Sequence, residues 1–161
     1  MSFERVRQYF ASAGLEERVI ALEQSSATVE EAALAIGCQP RQIAKTMSFF
    51  ADEKPILIVT AGDAKVDNKK YKSTFHQKAR MIPGDQVEDA IGHAPGGVCP
   101  FAIKPDVTVY LDISLRRFEQ VYPAGGNGHS AVKLSLEELE EHSGYSGWID
   151  VCKDWHEDEQ A

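Results

Sequence analysis

Gln42-Ile43-Ala44-Lys45-Thr46-Met47-Ser48-Phe49-Phe50 runs into the turn Asp52-Glu53-Lys54-Pro55 and then into Ile56-Leu57-Ile58-Val59-Thr60-Ala61. The first run partly alternates and is rich in strand formers; the second is almost continuously apolar. That pattern predicts a hairpin whose second strand is central and buried, ended by Gly62-Asp63. Period-two alternation places Ile43, Lys45 and Met47 on one face. A lysine on that face is costly unless it meets an anion or sits at the mouth of a pocket. The alternative is an edge-strand lysine reaching out to water.

Outward from the hairpin, helices and short strands alternate irregularly. Ser2 caps a helix carrying Phe3, Val6, Tyr9 and Phe10, with Gly14 as its stop. Arg18 to Leu22 reads as a short strand, and Thr28-Val29-Glu30-Glu31 as a capping box opening a helix from Val29 to Ile36. After the hairpin come a helix over 67–75, a strand over 79–82 and a helix over 84–92. Further strands are expected over 107–111, 120–122, 130–134 and 148–151, with a helical turn over 114–118. A second capping box, Ser135-Leu136-Glu137-Glu138, opens a helix ending near His142. The order predicts an α+β fold with a mixed, mostly antiparallel sheet or partial barrel, in one domain over 1–161. The acidic end, residues 156–161, reads as a flexible tail.

Between the predicted helix ending near His93 and the strand near Thr108 lies Ala94-Pro95-Gly96-Gly97-Val98-Cys99-Pro100-Phe101. Proline and glycine exclude a helix interior or a central strand there. Such a run is either a tight turn or a loop whose consecutive amides face an oxyanion or phosphate. A second glycine loop, Pro123-Ala124-Gly125-Gly126-Asn127-Gly128-His129, ends in a histidine that could carry a proton or serve structure only.

The 161 residues carry a net charge of −8, which argues against a general nucleic-acid coat protein. The distribution is uneven. Lys65, Lys69, Lys70, Lys72, Lys78 and Arg80 share one short segment with a single acid, Asp67. This segment is either a solvated helix face or a contact for a few phosphates. The three cysteines are odd in number and far apart, and there is no apolar run of membrane-spanning length. A reduced, cytoplasmic protein is expected. No spacing suits zinc, and no phosphate-binding motif supports a nucleotide cofactor, so none is expected.

Lys45, the Gly96–Pro100 loop and Ala131-Val132-Lys133-Leu134-Ser135 together resemble the YbaK family of free-standing aminoacyl-tRNA deacylases. That family is related to the editing insertion of bacterial prolyl-tRNA synthetase. The likeness extends to the early small-residue helix, to Gln42-Ile43-Ala44-Lys45-Thr46 and to Thr60-Ala61-Gly62-Asp63.

The resemblance implies hydrolysis of the ester joining a wrong amino acid to a tRNA 3′ adenosine, usually of tRNA for proline. By position, Lys45 matches the family's essential lysine, and Gly96, Gly97, Val98, Cys99 and Pro100 match the loop that holds the ester. Met47, Thr60, Val98, Cys99 and Phe101 are expected around the amino-acid pocket, and Lys65, Lys69, Lys70 and Lys72 along the tRNA. The cysteine-clearing members carry an Arg-Gly-Leu-Asp-like run where this chain has His129-Ser130-Ala131. His129 is more similar to the histidine of the alanine-clearing branch and of less selective relatives. Alanine or a similarly small residue is therefore expected, with cysteine as an alternative. The implied partners are the tRNA acceptor end and prolyl-tRNA synthetase. Two other readings stay open: a non-catalytic module gripping the tRNA end or a synthetase, and a hydrolase using the Cys99 thiol.

Overall fold

The computed structural model describes residues 2–155; the acidic tail expected over 156–161 lies outside them. Helix α1 (Ser2–Ser12) buries Val6 and Phe10, one turn apart, and is followed by strand β1 (Val19–Ala21). Helix α2 (Val29–Ile36) starts where Thr28 accepts the amide of Glu31, one half of the predicted capping box; the Glu31 carboxylate accepts from the Ser25 hydroxyl. Strands β2 (Ile43–Ala51) and β3 (Lys54–Ala61) form the predicted hairpin, with Lys45 opposite Thr60.

The chain then makes β4 (Lys65–Val66), α3 (Asn68–Phe75), α4 (Gly84–Ile91), β5 (Thr108–Asp112) and β6 (Gln120–Pro123). It ends with β7 (Ser130–Val132), β8 (Leu134–Ser135), α5 (Leu136–Ser143), β9 (Gly147–Ile149) and β10 (Cys152–Lys153). Ser135 and Glu138 close a reciprocal capping box on α5, as predicted.

Six strands form a curled mixed sheet in the order β8-β6-β2-β3-β5-β9. Its centre is β3, whose Leu57, Ile58, Val59, Thr60 and Ala61 are fully buried or nearly so, as a strand covered on both faces must be. Two further two-stranded pieces, β1·β7 and β4·β10, extend the architecture. Antiparallel pairings outnumber parallel ones by four to three among the described residues.

The faces of the hairpin bury different clusters. Ala44, Leu57, Val59 and Ala61 join Phe10, Phe101 and Leu115 in the main core. Ile56, Ile58 and Phe49 pack with Tyr71, Val151 and Cys152 on the other side. Ile43 packs separately with Ala32 and Ala33 of α2. Strand β6 pairs with β2 only at Ile43 and Ala44. Beyond that point no strand among the described residues neighbours this edge of β2 until the Ser48 carbonyl accepts the Ile82 amide and Phe49 meets Met81 in an isolated bridge.

Three expected strands differ in extent. The one over 79–82 is reduced to a bridge at Met81, with the Phe50 amide on the Arg80 carbonyl at 2.9 Å and the Ile82 amide on the Ser48 carbonyl at 3.1 Å, because Pro83, which has no donor, follows at once. The one over 130–134 breaks at Lys133, whose amide turns to the carbonyl of Arg18 at 2.9 Å, leaving β7 and β8 with different partners. The last one stops at Ile149, and the amide of Val151 is taken instead by the buried carboxylate of Asp112 at 2.9 Å.

Candidate functional site

The unpaired stretch of β2 opens onto a cavity of about 370 Å³. Lys45, Thr46, Met47 and Ser48 form one wall, and Pro95, Gly96 and Val98 of the first glycine loop form another. The stretch 26–29 before and at the start of α2, together with Met81 and Ile82, contributes to the surround. Pro123, Ala124, Ser130 and Ala131, from the second glycine loop and β7, complete it. The cavity is small, at the lower end of the ~300–1,000 Å³ typical of ligand sites. It thus joins the cationic strand residue to the distant glycine loop.

The loop is held by backbone-to-backbone packing. A Cβ on Gly97 would stand 2.4 Å from the amide nitrogen of Asn127 and 2.5 Å from the carbonyl carbon of Gly126, so only glycine permits the two loops to touch. Gly96 adopts φ +92, a left-handed conformation that turns the chain toward the cavity. The Gly97 amide closes a turn onto the carbonyl of Ala94 at 3.1 Å. The amides of Gly96, Val98 and Cys99 donate to no acceptor among the described residues. The second loop is fixed in turn: Ser26 donates its amide to the carbonyl of Gly128 at 2.7 Å, and its hydroxyl to the carbonyl of Ser130 at 3.1 Å.

Lys45 is half-buried, and its ammonium makes no ion pair or hydrogen bond within the described residues. Burial holds its ammonium below the ordinary lysine range; Asp63 and Glu30 pull the other way and Lys65 adds to the lowering. Asp63 is itself committed to Arg117, gripping the guanidinium with both carboxylate oxygens at 2.6 and 3.0 Å. The Thr46 hydroxyl is buried without a partner among the described residues. Leaving such a group unsatisfied costs about 1–3 kcal/mol, so it stands as a polar handle in an otherwise largely apolar wall.

Not every expected residue lines the cavity. Lys45, Met47, Gly96 and Val98 do; Gly97, Cys99, Pro100, Thr60, Phe101 and His129 do not. Phe101 is buried edge-on against Phe10 in the core, and the Thr60 hydroxyl is buried and donates to the carbonyl of Ala61. Cys99 is fully buried, its thiol pushed up to about 12 by burial, with Sγ 3.5 Å from Nε2 of His93. A thiol held protonated and shut away from the cavity is badly placed and badly charged for a nucleophile. His129 is exposed beside the cavity residues Ser130 and Ala131; its amide is fixed by Asn127 and its carbonyl accepts from Leu22.

Sequence reasoning missed Ser26, Thr28, Thr46, Ser48, Met81 and Tyr122 as wall residues. Only Thr46 and Ser48 carried a usable signal, being strand neighbours of Lys45.

The lysine segment divides. Lys70 is tied to Asp150 at 3.0 Å and to the carbonyl of Cys152 at 2.9 Å. Lys65 lies in β4, opposite Lys153 of β10. Lys69 and Lys72 instead share a second cleft with Asn68, Lys78 and Ala79.

Residues 23–142 match the model of the aminoacyl-tRNA editing domain. The chain belongs to the aminoacyl-tRNA editing domain family. Membership makes it a hydrolase acting on aminoacyl-tRNA ester bonds. It is 51% identical over 156 residues to the uncharacterised protein YwhH of Bacillus subtilis strain 168, covering 96% of this chain and 99% of that one. It is 32% identical over 95 residues to the proline–tRNA ligase of Limosilactobacillus fermentum, covering 55% of this chain but only 17% of the ligase. A crystal structure described as that of a candidate trans-editing enzyme for prolyl-tRNA synthetase superposes with a TM-score of 0.84. It is 27% identical, with 94% of this chain and 97% of that one covered. This editing domain has the YbaK fold. No helix among its described residues is long and apolar enough to cross a membrane.

Proposed function

We propose that this editing domain acts in trans, hydrolysing the ester of alanine or a similarly small amino acid mischarged on tRNA for proline. One observation carries the reading: Lys45 and the loop residues Pro95, Gly96 and Val98 border a single small cavity whose loop has unengaged amides. The amino-acid side chain faces Met47 and Val98, with Thr60 and Phe101 supporting the wall from behind. Lys45 lies close to the terminal phosphate or ribose. A water oxygen adds to the ester carbonyl carbon, and the resulting oxyanion is received by amides of the Gly96–Cys99 stretch. The bond from that carbon to the ribose oxygen then breaks, a proton passes to the ribose oxygen, and free amino acid and deacylated tRNA leave. Preorganised donors of this kind are worth about 3–4 kcal/mol each in acyl transfer. His129, at the rim, orients the water or the neighbouring ribose hydroxyl.

Lys69 and Lys72, with Lys65 nearby, are the candidate contacts for acceptor phosphates, whereas Lys70 is occupied by Asp150. Replacing Lys69 and Lys72 by alanine should weaken tRNA binding and lower the salt slope by about one for each phosphate no longer neutralised. Prolyl-tRNA synthetase is the expected partner for an acidic protein with so small a basic surface.

The test is single-turnover hydrolysis of Ala-tRNA and Cys-tRNA carrying the proline tRNA body. Faster clearance of the alanyl ester is expected, and its loss in Lys45→Ala. Hydrolysis no faster than in buffer, or a full rate in Lys45→Ala, overturns the reading. Tight tRNA binding without turnover would point to a non-catalytic module.

A further inference from the structure

We infer that His93 is a positioning residue that pins the neck of the 94–101 loop and so holds the loop's free amides at the cavity; its catalytic consequence rests on the deacylase reading above. His93 is fully buried just past the end of α4, and its Nε2 lies 2.7 Å from the carbonyl oxygen of Phe101. That carbonyl can only accept, so Nε2 carries the proton. Residues 93 and 101 bracket the whole glycine loop. The bond is therefore a rung across its base, with a second rung beneath it from the Lys104 amide to the Ile91 carbonyl at 3.0 Å.

The far side of the same loop rests on the second loop through Gly97. Between those two constraints lie Pro95, Gly96 and Val98, the loop residues that border the cavity, and Cys99, whose thiol sits 3.5 Å from the same imidazole nitrogen.

The imidazole makes this bond at a cost. Its Nδ1 is buried with no partner among the described residues. Burial lowers the ring's pKa, Arg5 lowers it further, and the Phe101 carbonyl opposes them. The ring is neutral at pH 7 and acts as a single fixed donor, outside the cavity. An apolar ring of the same size would avoid the orphan nitrogen but leave the neck unbolted.

The test compares His93→Phe, which fills the space without a donor, with His93→Gln, whose amide nitrogen reaches nearly where Nε2 stands. Two readouts are taken: exchange of the Gly97 amide by NMR and the single-turnover rate on the mischarged tRNA. In His93→Phe, exchange should quicken and the rate fall by about tenfold or more, with half-saturation changing far less; His93→Gln should stay within about threefold of wild type. The inference is overturned if His93→Phe keeps its rate, whether or not exchange changes, or if His93→Gln is impaired as much as His93→Phe.

Should His93→Phe fail to fold, the ¹⁵N histidine spectrum of the wild type decides. The proton should be found on Nε2 at pH 7, and an Nδ1–H tautomer overturns the pin. If the wild type clears no mischarged tRNA, the deacylase reading fails, while exchange and tautomer still judge the pin on their own.

Discussion

Gly97→Ala pushes the two glycine loops apart without removing any polar group. The new Cβ would start 2.4 Å from the Asn127 nitrogen and 2.5 Å from its Cα, and ordinary van der Waals approach begins at 3.4 Å. All of these neighbours are backbone, so no side chain can swing away, and the loops must part by about 1 Å (3.4 less 2.4). Overpacking of this kind costs about 1–3 kcal/mol. For a domain of this size, each kcal/mol lowers the melting temperature by about 2–4 °C. The larger effect falls on chemistry, because a misplacement of about 1 Å in a catalytic group can cost about a hundredfold. Gly147→Ala is the matched control: nothing lies within 4 Å of its Cβ and its φ is not left-handed. The assay is single-turnover deacylation beside a thermal melt. The expected result is a roughly hundredfold loss in Gly97→Ala with a melt lowered by several degrees, and no change in Gly147→Ala. A Gly97→Ala protein with wild-type rate and melt would refute the claim that loop-to-loop packing sets the site.

Lys45→Met should abolish deacylation yet raise stability at neutral pH by about 0.5–2 kcal/mol, since a desolvated ammonium is removed; chemical denaturation measures it. The sign follows from linkage. The folded state holds the Lys45 proton less tightly than the unfolded state, so the wild type should gain on Lys45→Met as pH rises through the depressed folded value toward the unfolded one. The deacylation rate, corrected for base hydrolysis, should fall over the same range, below where an ordinary lysine titrates. Cys99→Ser should retain its rate within a few-fold and resist inactivation by alkylating agents no better than wild type, because the thiol is buried and protonated; lost activity with an intact melt would restore the thiol as a participant.

Local chemistry made much of this fold readable in advance. The hairpin, the Thr28 and Ser135 caps and the place of Lys45 all follow from spacing and from residues whose preferences act within a few positions. Two of the three strand errors arose where a distant group captured an amide. Arg18 takes that of Lys133 and Asp112 takes that of Val151, and neither pairing leaves a mark in the strand pattern.

The site divides in the same way. Lys45 and the Gly96–Pro100 loop were visible because a lysine among apolar strand residues and a Pro-Gly-Gly run are both costly without a reason. Ser26, Thr28 and Tyr122 were not, because they reach the cavity only through β6 pairing parallel to β2 and β7 folding back on β1. His93 and Phe101 looked like ordinary flanks of a loop. Only the 2.7 Å bond across its base gives the pair a role.

The central claim is that the strand lysine and the glycine loop enclose the scissile end of an aminoacyl-tRNA. A stable amide analogue of alanyl-adenosine, titrated into ¹⁵N-labelled protein, tests it with no turnover. The account predicts resonance shifts centred on Lys45, Thr46, Gly96 and Val98, absent in Lys45→Ala. Shifts confined to other surfaces, or no shift at millimolar analogue, would contradict it.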